Sequence, residues 1–419
     1  MAGNDRKRLD SWKDIAQYLG RDLSTVRRWE KERSLPVHRL PGASRSAIFA
    51  YADEIDAWLA GQPFEADAPH KTPTIRRWAV AVVAIALLGL TALWAWRESL
   101  PRRIDRAEFQ QRWLLAYDPS GRVAWSHQFP AALDTPEGQL SRRLYVTDLD
   151  GDGRGEVVAR VRFAVSEVEE VYCFSGDGTV RWRYRPTQVF RFGEQTFSGP
   201  WRISDILVAP GANEHATWVA LTHHTWWPSF VVRIDETGKA DLRFVSAGWV
   251  TELASFRNGS GAYVVAAGLN NEYDAGMLAV IDPAQQAASS PQTLGSPYRC
   301  SACPQASPHR YFVFPRSELN AVTGSPANIV RTIRALPDKL EVRTEEVHQT
   351  SVQSFGVYEL RSDFSLAGAS LTDLYWDLHR RLEKEGKLSH SADACRQQQP
   401  LKDRVRIWRG DGAEQASPK

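Results

Sequence analysis

Apolar residues recur at helical spacing in short stretches near the start of the chain, and at strand spacing through most of the remainder. In SWKDIAQYLG, Trp12, Ile15, Ala16 and Leu19 share one face of a predicted helix that Asp10-Ser11 caps and Gly20 ends. LSTVRRWEKER predicts a second helix with Ser24 as N-cap. Its Val26 and Trp29 face inward, while Ser24, Thr25, Arg27, Arg28 and Lys31 face out. Val37–Leu40 and Ala47–Tyr51 alternate around PGASRS as a hairpin, and DEIDAWLAG closes the segment as a helix burying Ile55, Trp58 and Leu59.

Two helices joined by a glycine-containing turn, with basic residues on the outer face of the second, form a helix-turn-helix pattern. The segments SWKDIAQYLG, STVRRWE, LPVHRLPG and YADEIDAWL resemble, in order and spacing, the excisionase-like and MerR-like winged helix-turn-helix family over about 50 residues. That resemblance implies a second helix in the major groove, with Ser24, Thr25, Arg27 and Arg28 near bases and backbone, and Arg39 and Arg45 as wing contacts to phosphate.

From Trp78 to Trp96 the chain reads WAVAVVAIALLGLTALWAW, nineteen residues without a charge. As a helix it would cover roughly 28 Å, the hydrocarbon thickness of a bilayer. Trp78, Trp94 and Trp96 sit at its ends as interfacial aromatics do. Arginines flank both ends, so orientation rests on the head: a DNA reader faces the cytoplasm. The expected organisation is a head at 1–61, a linker at 62–77, a membrane helix at 78–96, a juxtamembrane segment at 97–112 and an extracytoplasmic β-rich domain at 113–419. The expected fold class is therefore multi-domain: a small α+β winged helix-turn-helix, one transmembrane helix, then a mainly-β, propeller-like domain with one C-terminal helix.

Within the body, LLAYDPSGRVAW (Leu114–Trp125), VYCFSGDGTVRW (Val171–Trp182) and VVRIDETGKADL (Val231–Leu242) repeat two alternating strands around a glycine-bearing turn, and MLAVIDPA is a degraded fourth copy. The repeats resemble blades of quinoprotein-like β-propellers; an irregular β-sandwich is the alternative. Between the first two copies, DLDGDGRGE sets carboxylates close enough to repel unless a hard cation lies among them. Asp148, Asp150, Asp152 and Glu156, with the Arg154 carbonyl, are the expected oxygens, and Ca2+ the expected ion, in a structural role. Ala159 occupies the twelfth position, where an EF-hand needs glutamate. The loop instead resembles the calcium loops of FG-GAP or integrin-α-type propeller repeats.

Composition adds little to this pattern. Net charge is +2, which excludes a globally basic surface, although residues 1–77 hold 14 Lys and Arg against 11 Asp and Glu. The cysteines, Cys173, Cys300, Cys303 and Cys395, all lie after the apolar run and are disulfide candidates, with Cys300 and Cys303 able to pair with each other. LTDLYWDLHRRLEKEGKL predicts an amphipathic helix with Leu371, Leu374, Tyr375, Leu378 and Leu382 on one face, and RVRIW is a candidate closing strand. His223-His224 is set aside as a metal site because neighbours in a strand face opposite ways. No catalytic constellation stands out, so no enzyme is expected.

Together these features predict a membrane-bound one-component transcriptional regulator of the bacterial inner membrane. Its DNA-binding head is cytoplasmic, its outer domain takes an unknown ligand, and it pairs as a homodimer. The alternative is a membrane-anchored ligand-binding or adhesion protein whose head binds a protein partner. A quinone-cofactor enzyme is a third reading, and the absence of a Cys-Cys pair speaks against it.

Overall fold

The computed structural model describes residues 6–40, 47–61, 86–87, 89–91, 103–134, 144–210, 215–348, 354–397 and 401–415. The chain divides into two units, Met1–Ala95 and Trp96–Lys419.

In the first unit, helix α1 spans Trp12–Leu19, with the Ser11 hydroxyl accepting the Asp14 N–H and Gly20 in the left-handed region at its end. Helix α2 spans Leu23–Arg33. Its N-cap is Asp22 rather than the expected Ser24: the Asp22 carboxylate takes the Thr25 N–H at 2.9 Å and both the Ser24 and Thr25 hydroxyls. An aspartate just ahead of the helix satisfies more orphan donors than a serine inside it. Arg8–Leu9, Ile48–Tyr51 and His38–Arg39 form a small antiparallel sheet with Ile48–Tyr51 in the middle, and α3, Ala52–Gly61, comes after it. Leu9, Ile15, Val26, Leu35, Ile48, Ala50 and Ile55 make its core, and the Trp58 indole donates to the Arg33 carbonyl at 2.8 Å.

The second unit is a succession of antiparallel meanders. Arg106–Gln110, Trp113–Tyr117 and Val123–Gln128 form the first. Leu144–Thr147, Glu156–Arg162, Glu169–Phe174 and Val180–Tyr184 form the second, paired in chain order. After the ribbon Phe190–Phe192 with Gln195–Phe197 comes a third sheet, Trp201–Pro210, His215–His223, Ser229–Ile234 and Ala240–Ser246, with Ala288–Ser289 added in parallel at its edge. A fourth joins Gly248–Asn258, Gly261–Asn270, Ala275–Ile281 and Arg310–Val313. Arg406–Arg409 and Glu414–Gln415 extend it, so the candidate closing strand pairs with Arg310–Val313. Ile329–Ala335, Lys339–Glu345, Phe355–Arg361 and Leu366–Leu371 form the fifth.

Cores lie between consecutive sheets. Phe129, Val157 and Phe174 fill the first interface, Val171, Trp201 and Phe230 the second, Trp218, Phe244 and Met277 the third, and Phe312, Val342 and Tyr358 the fourth. The repeats fix this stacking. Gly121, Gly178 and Gly238 have φ of 80°, 87° and 88°, each in a turn whose glycine N–H bonds back three residues. The Trp125 ring covers Gly178, and Trp182 covers Gly238, so closely that an added Cβ would sit 2.8 Å and 2.5 Å from them. The tryptophan closing one hairpin thus packs on the glycine of the next.

Short helices interrupt the strands of this unit: α4 (Glu318–Val322) lies before the fifth sheet, and α5 (Asp373–Lys384) and α6 (Ala392–Gln397) lie between it and the closing strands. Tyr375, Trp376, Leu378, His379 and Leu382 of α5 are buried, whereas Leu374, expected on the apolar face, is 49% exposed.

The expected fold class is corrected in its membrane element. Strands account for 44% of the described residues and helices for 17%, so the described structure is mainly β. No described helix is long and apolar enough to cross a membrane. The run Trp78–Trp96 lies outside the described residues except at 86–87 and 89–91, and the hairpin tip at 41–46 lies outside them as well. The assignment of a winged head joined by one membrane helix to a propeller-like body with one C-terminal helix is therefore replaced by a mainly-β chain in which short helices precede, interrupt and follow the sheets of the body.

Candidate metal centre

Among the described residues of the second unit, two clusters of side chains have the composition and spacing to hold a metal ion. The first is the loop between Leu144–Thr147 and Glu156–Arg162. Gly151 and Gly153 sit at φ 78° and 81°, which lets the chain curl back on itself. The Asp148 carboxylate accepts the N–H of Gly151 at 2.7 Å and of Gly153 at 2.9 Å. Asp148, Asp150 and Glu156 each offer an oxygen within 4.8 Å of the others. Glu156 is only 1% exposed, accepts the Leu149 N–H at 2.7 Å, and is pushed above the usual carboxylate range, chiefly by burial. Asp152 is outside the trio: it accepts the Arg154 N–H at 2.8 Å and lies 3.7 Å from the Arg154 guanidinium. Arg181 reaches in from the neighbouring hairpin and donates to Asp150 at 2.6 Å. A cavity of about 470 Å³ adjoins the loop, lined in part by Asp148, Gly153 and Arg103.

The second cluster joins Glu318 of α4, His379 of α5, His390 and Cys395 of α6, their ligand atoms all within 4.8 Å of one another. Glu318 Oε2 is 3.0 Å from His390 Nε2, 3.6 Å from Cys395 Sγ and 3.9 Å from His379 Nε2. The His379 and His390 rings lie 5.2 Å apart, edge to face. His379 is fully buried, and burial lowers its pKa, while burial and Glu318 raise that of Cys395. A core of Leu319, Val347, Tyr375, Leu378 and Leu382 holds the three helices together. This cluster was not anticipated from the sequence. Its one signal there is a histidine inside the apolar stripe of α5, four residues after Tyr375 and three before Leu382.

Of the other expected site residues, Ser24 and Thr25 are taken up by Asp22 in the α2 cap. Arg27 stacks on Trp12 at 5.7 Å, Arg28 lies 3.8 Å from Glu32, and Arg39 is paired with Glu30. Arg45 is outside the described residues. Cys300 and Cys303 form a disulfide with their Cα atoms 5.5 Å apart. Cys173 and Cys395 are free and belong to different cores; burial pushes the Cys173 thiol up to about 12. His223 and His224 do not splay apart as expected: the strand ends at His223, and the two rings lie 4.0 Å apart.

No family model matches the chain, and no curated protein does. Among solved structures, the chain is similar to apocarotenoid oxygenase from Synechocystis. One mutant of that enzyme is 11% identical with a TM-score of 0.25, covering 64% of this chain and 70% of that chain. A second mutant, also at 11% and 0.25, covers 81% of each, and the cobalt-substituted enzyme gives 11%, 0.25 and coverages of 64% and 70%. A TM-score of 0.25 is below that of chains sharing a fold, so no activity or residue role passes from these structures to this chain.

These findings correct the expected function. The excisionase-like/MerR-like, FG-GAP and quinoprotein-like resemblances find no matching family model. With no membrane-crossing helix among the described residues, the inner-membrane location and the membrane partner lose their ground. The regulator, its outer ligand and the homodimer that was to pair its heads fall with them. DNA as a partner rested on the winged helix-turn-helix resemblance and loses that support with it. The expectation that the chain is no enzyme rested on finding no reactive constellation. The described residues bring Glu318, His379, His390 and Cys395 together, so that ground for the expectation is withdrawn.

Proposed function

We propose that the β-rich unit is a cation-dependent scaffold in which Ca2+, held by the 148–156 loop, locks the second meander to its neighbours. Asp148, Asp150 and Glu156 are the inner ligands; Asp152 and the Arg154 carbonyl complete the oxygen set at the rim. The observation that carries this reading is the convergence of three carboxylates, one of them almost fully buried, within 4.8 Å. Like charges so close are costly unless a counter-charge lies between them. Four carboxylates in the loop face the guanidinium groups of Arg154 and Arg181, leaving a deficit of two positive charges. A divalent ion supplies that charge, and an all-oxygen set on a flexible glycine loop favours Ca2+ over the stricter octahedron of Mg2+.

Calorimetric titration of chelator-treated full chain with CaCl2 tests the reading. One equivalent should bind, and Asp148→Asn and Glu156→Gln should each weaken binding by tenfold or more while Mg2+ competes poorly. Binding that neither substitution weakens, or no heat of binding at all, would contradict it.

A further inference from the structure

We propose that Glu318, His379, His390 and Cys395 form a second, chemically distinct metal site that takes Zn2+ or a similar borderline-soft divalent ion. One thiolate, two imidazoles and one carboxylate are a zinc-type donor set, whereas the oxygen-only loop at 148–156 suits a hard cation. An ordinary hydrogen-bonded cluster accounts for part of the arrangement, since Glu318 Oε2 lies near both His390 and Cys395. It does not account for His379. This imidazole is 0% exposed, neither of its ring nitrogens has a hydrogen-bond partner among the described residues, and its Nε2 points toward Glu318 at 3.9 Å, beyond bonding distance. His390 Nε2 likewise makes no well-formed hydrogen bond among the described residues. A polar ring buried without a partner is destabilising. A coordinated ion satisfies both histidines together.

The distances fit such an ion with small adjustments. Metal bonds of about 2.0–2.3 Å place tetrahedral ligand atoms about 3.3–3.8 Å apart, so the widest separations, up to 4.8 Å, need to close by roughly 1 Å and the shortest to open slightly. Entry is available because Glu318 and Cys395 also line a cleft of about 630 Å³ between α5, α6 and the Leu366–Leu371 strand. Binding converts the Cys395 thiol to thiolate and releases its proton to solvent. The bound ion ties together α4, α5 and α6, which are otherwise held by a small core.

Cobalt substitution of the full chain reads the site directly. Chelator-treated protein titrated with Co2+ should develop tetrahedral visible bands and a thiolate-to-cobalt band in the near ultraviolet, both displaced by one equivalent of Zn2+. Cys173 is buried in another core and Cys300 is bonded to Cys303, so the thiolate band belongs to Cys395. Cys395→Ser should remove that band but keep weakened binding, and His379→Ala should cut affinity by about a hundredfold or more. His390→Ala, at a more exposed position, should weaken binding without unfolding, with circular dichroism as the check. Failure of the thiolate band to appear, or binding unchanged in both histidine variants, would overturn the proposal. Asp148→Asn should leave the cobalt spectrum unchanged, so this test and that of the calcium loop fail separately.

Discussion

Single residues carry the register of the stacked sheets. Gly121, Gly178 and Gly238 occupy the same turn position in three hairpins, yet only the latter two lie under a tryptophan. Gly121→Ala should therefore cost only left-handed strain, about 1 kcal/mol. Gly178→Ala and Gly238→Ala should add a clash with Trp125 or Trp182 and cost a further 1–3 kcal/mol, roughly the range for overpacking. Urea unfolding of the three variants measures the difference, and equal losses would count against tryptophan packing as the cause. His348 gives a pH-dependent counterpart. Its Nε2 lies 2.7 Å from the Ala327 carbonyl and its Nδ1 3.4 Å from Glu345, so the imidazolium has an acceptor on each side. Its pKa is raised, first by Glu345, and that of Glu345 is lowered, first by His348. A raised histidine stabilises the fold fully below its unfolded value of about 6.5, and the gain fades as pH rises through the folded value. The destabilisation by His348→Gln should thus be largest in mild acid and shrink above neutrality; a difference constant with pH would refute the pairing.

Among the elements, the hairpins were legible in the sequence because strand alternation and turn glycines are local signals. LLAYDPSGRVAW, VYCFSGDGTVRW and VVRIDETGKADL each fold as two paired strands around the glycine. The acidic loop was legible too, though only Asp148, Asp150 and Glu156 converge while Asp152 turns to Arg154. The N-cap of α2 was misplaced because Asp22 and Ser24 are both good caps, and the choice depends on which donors the folded turn presents. The Glu318–His379–His390–Cys395 cluster was not legible, because its members are far apart in sequence and meet only when three short helices pack. Arg181 offers a test at this scale. It donates to Asp150 from the adjacent hairpin, so it competes with a bound cation for the same carboxylate. Arg181→Gln should raise calcium affinity about fivefold, the equivalent of about 1 kcal/mol of relieved repulsion. If calcium bound the variant but not the parent chain, Arg181 would be the loop's permanent counter-ion and the scaffold reading would fail.

For the whole molecule, the apolar run Trp78–Trp96 dominates the sequence pattern, whereas the described structure is a series of interlocked sheets joined by aromatic and glycine contacts. Among the described residues, two side-chain clusters have the composition to hold a cation. The central claim is that Ca2+ occupies the first of these, and the sign of one stability change tests it. With calcium bound, the buried Glu156 carboxylate is a ligand, and Glu156→Gln should destabilise the full chain. A tightly bound ion at a hundredfold excess over its Kd contributes about 2.7 kcal/mol. In chelator the same carboxylate is a buried charge among like charges, and Glu156→Gln should be neutral or stabilising. Unfolding free energies of parent and variant in both conditions decide the matter: a reversal of sign supports the account, and the same loss with and without calcium contradicts it.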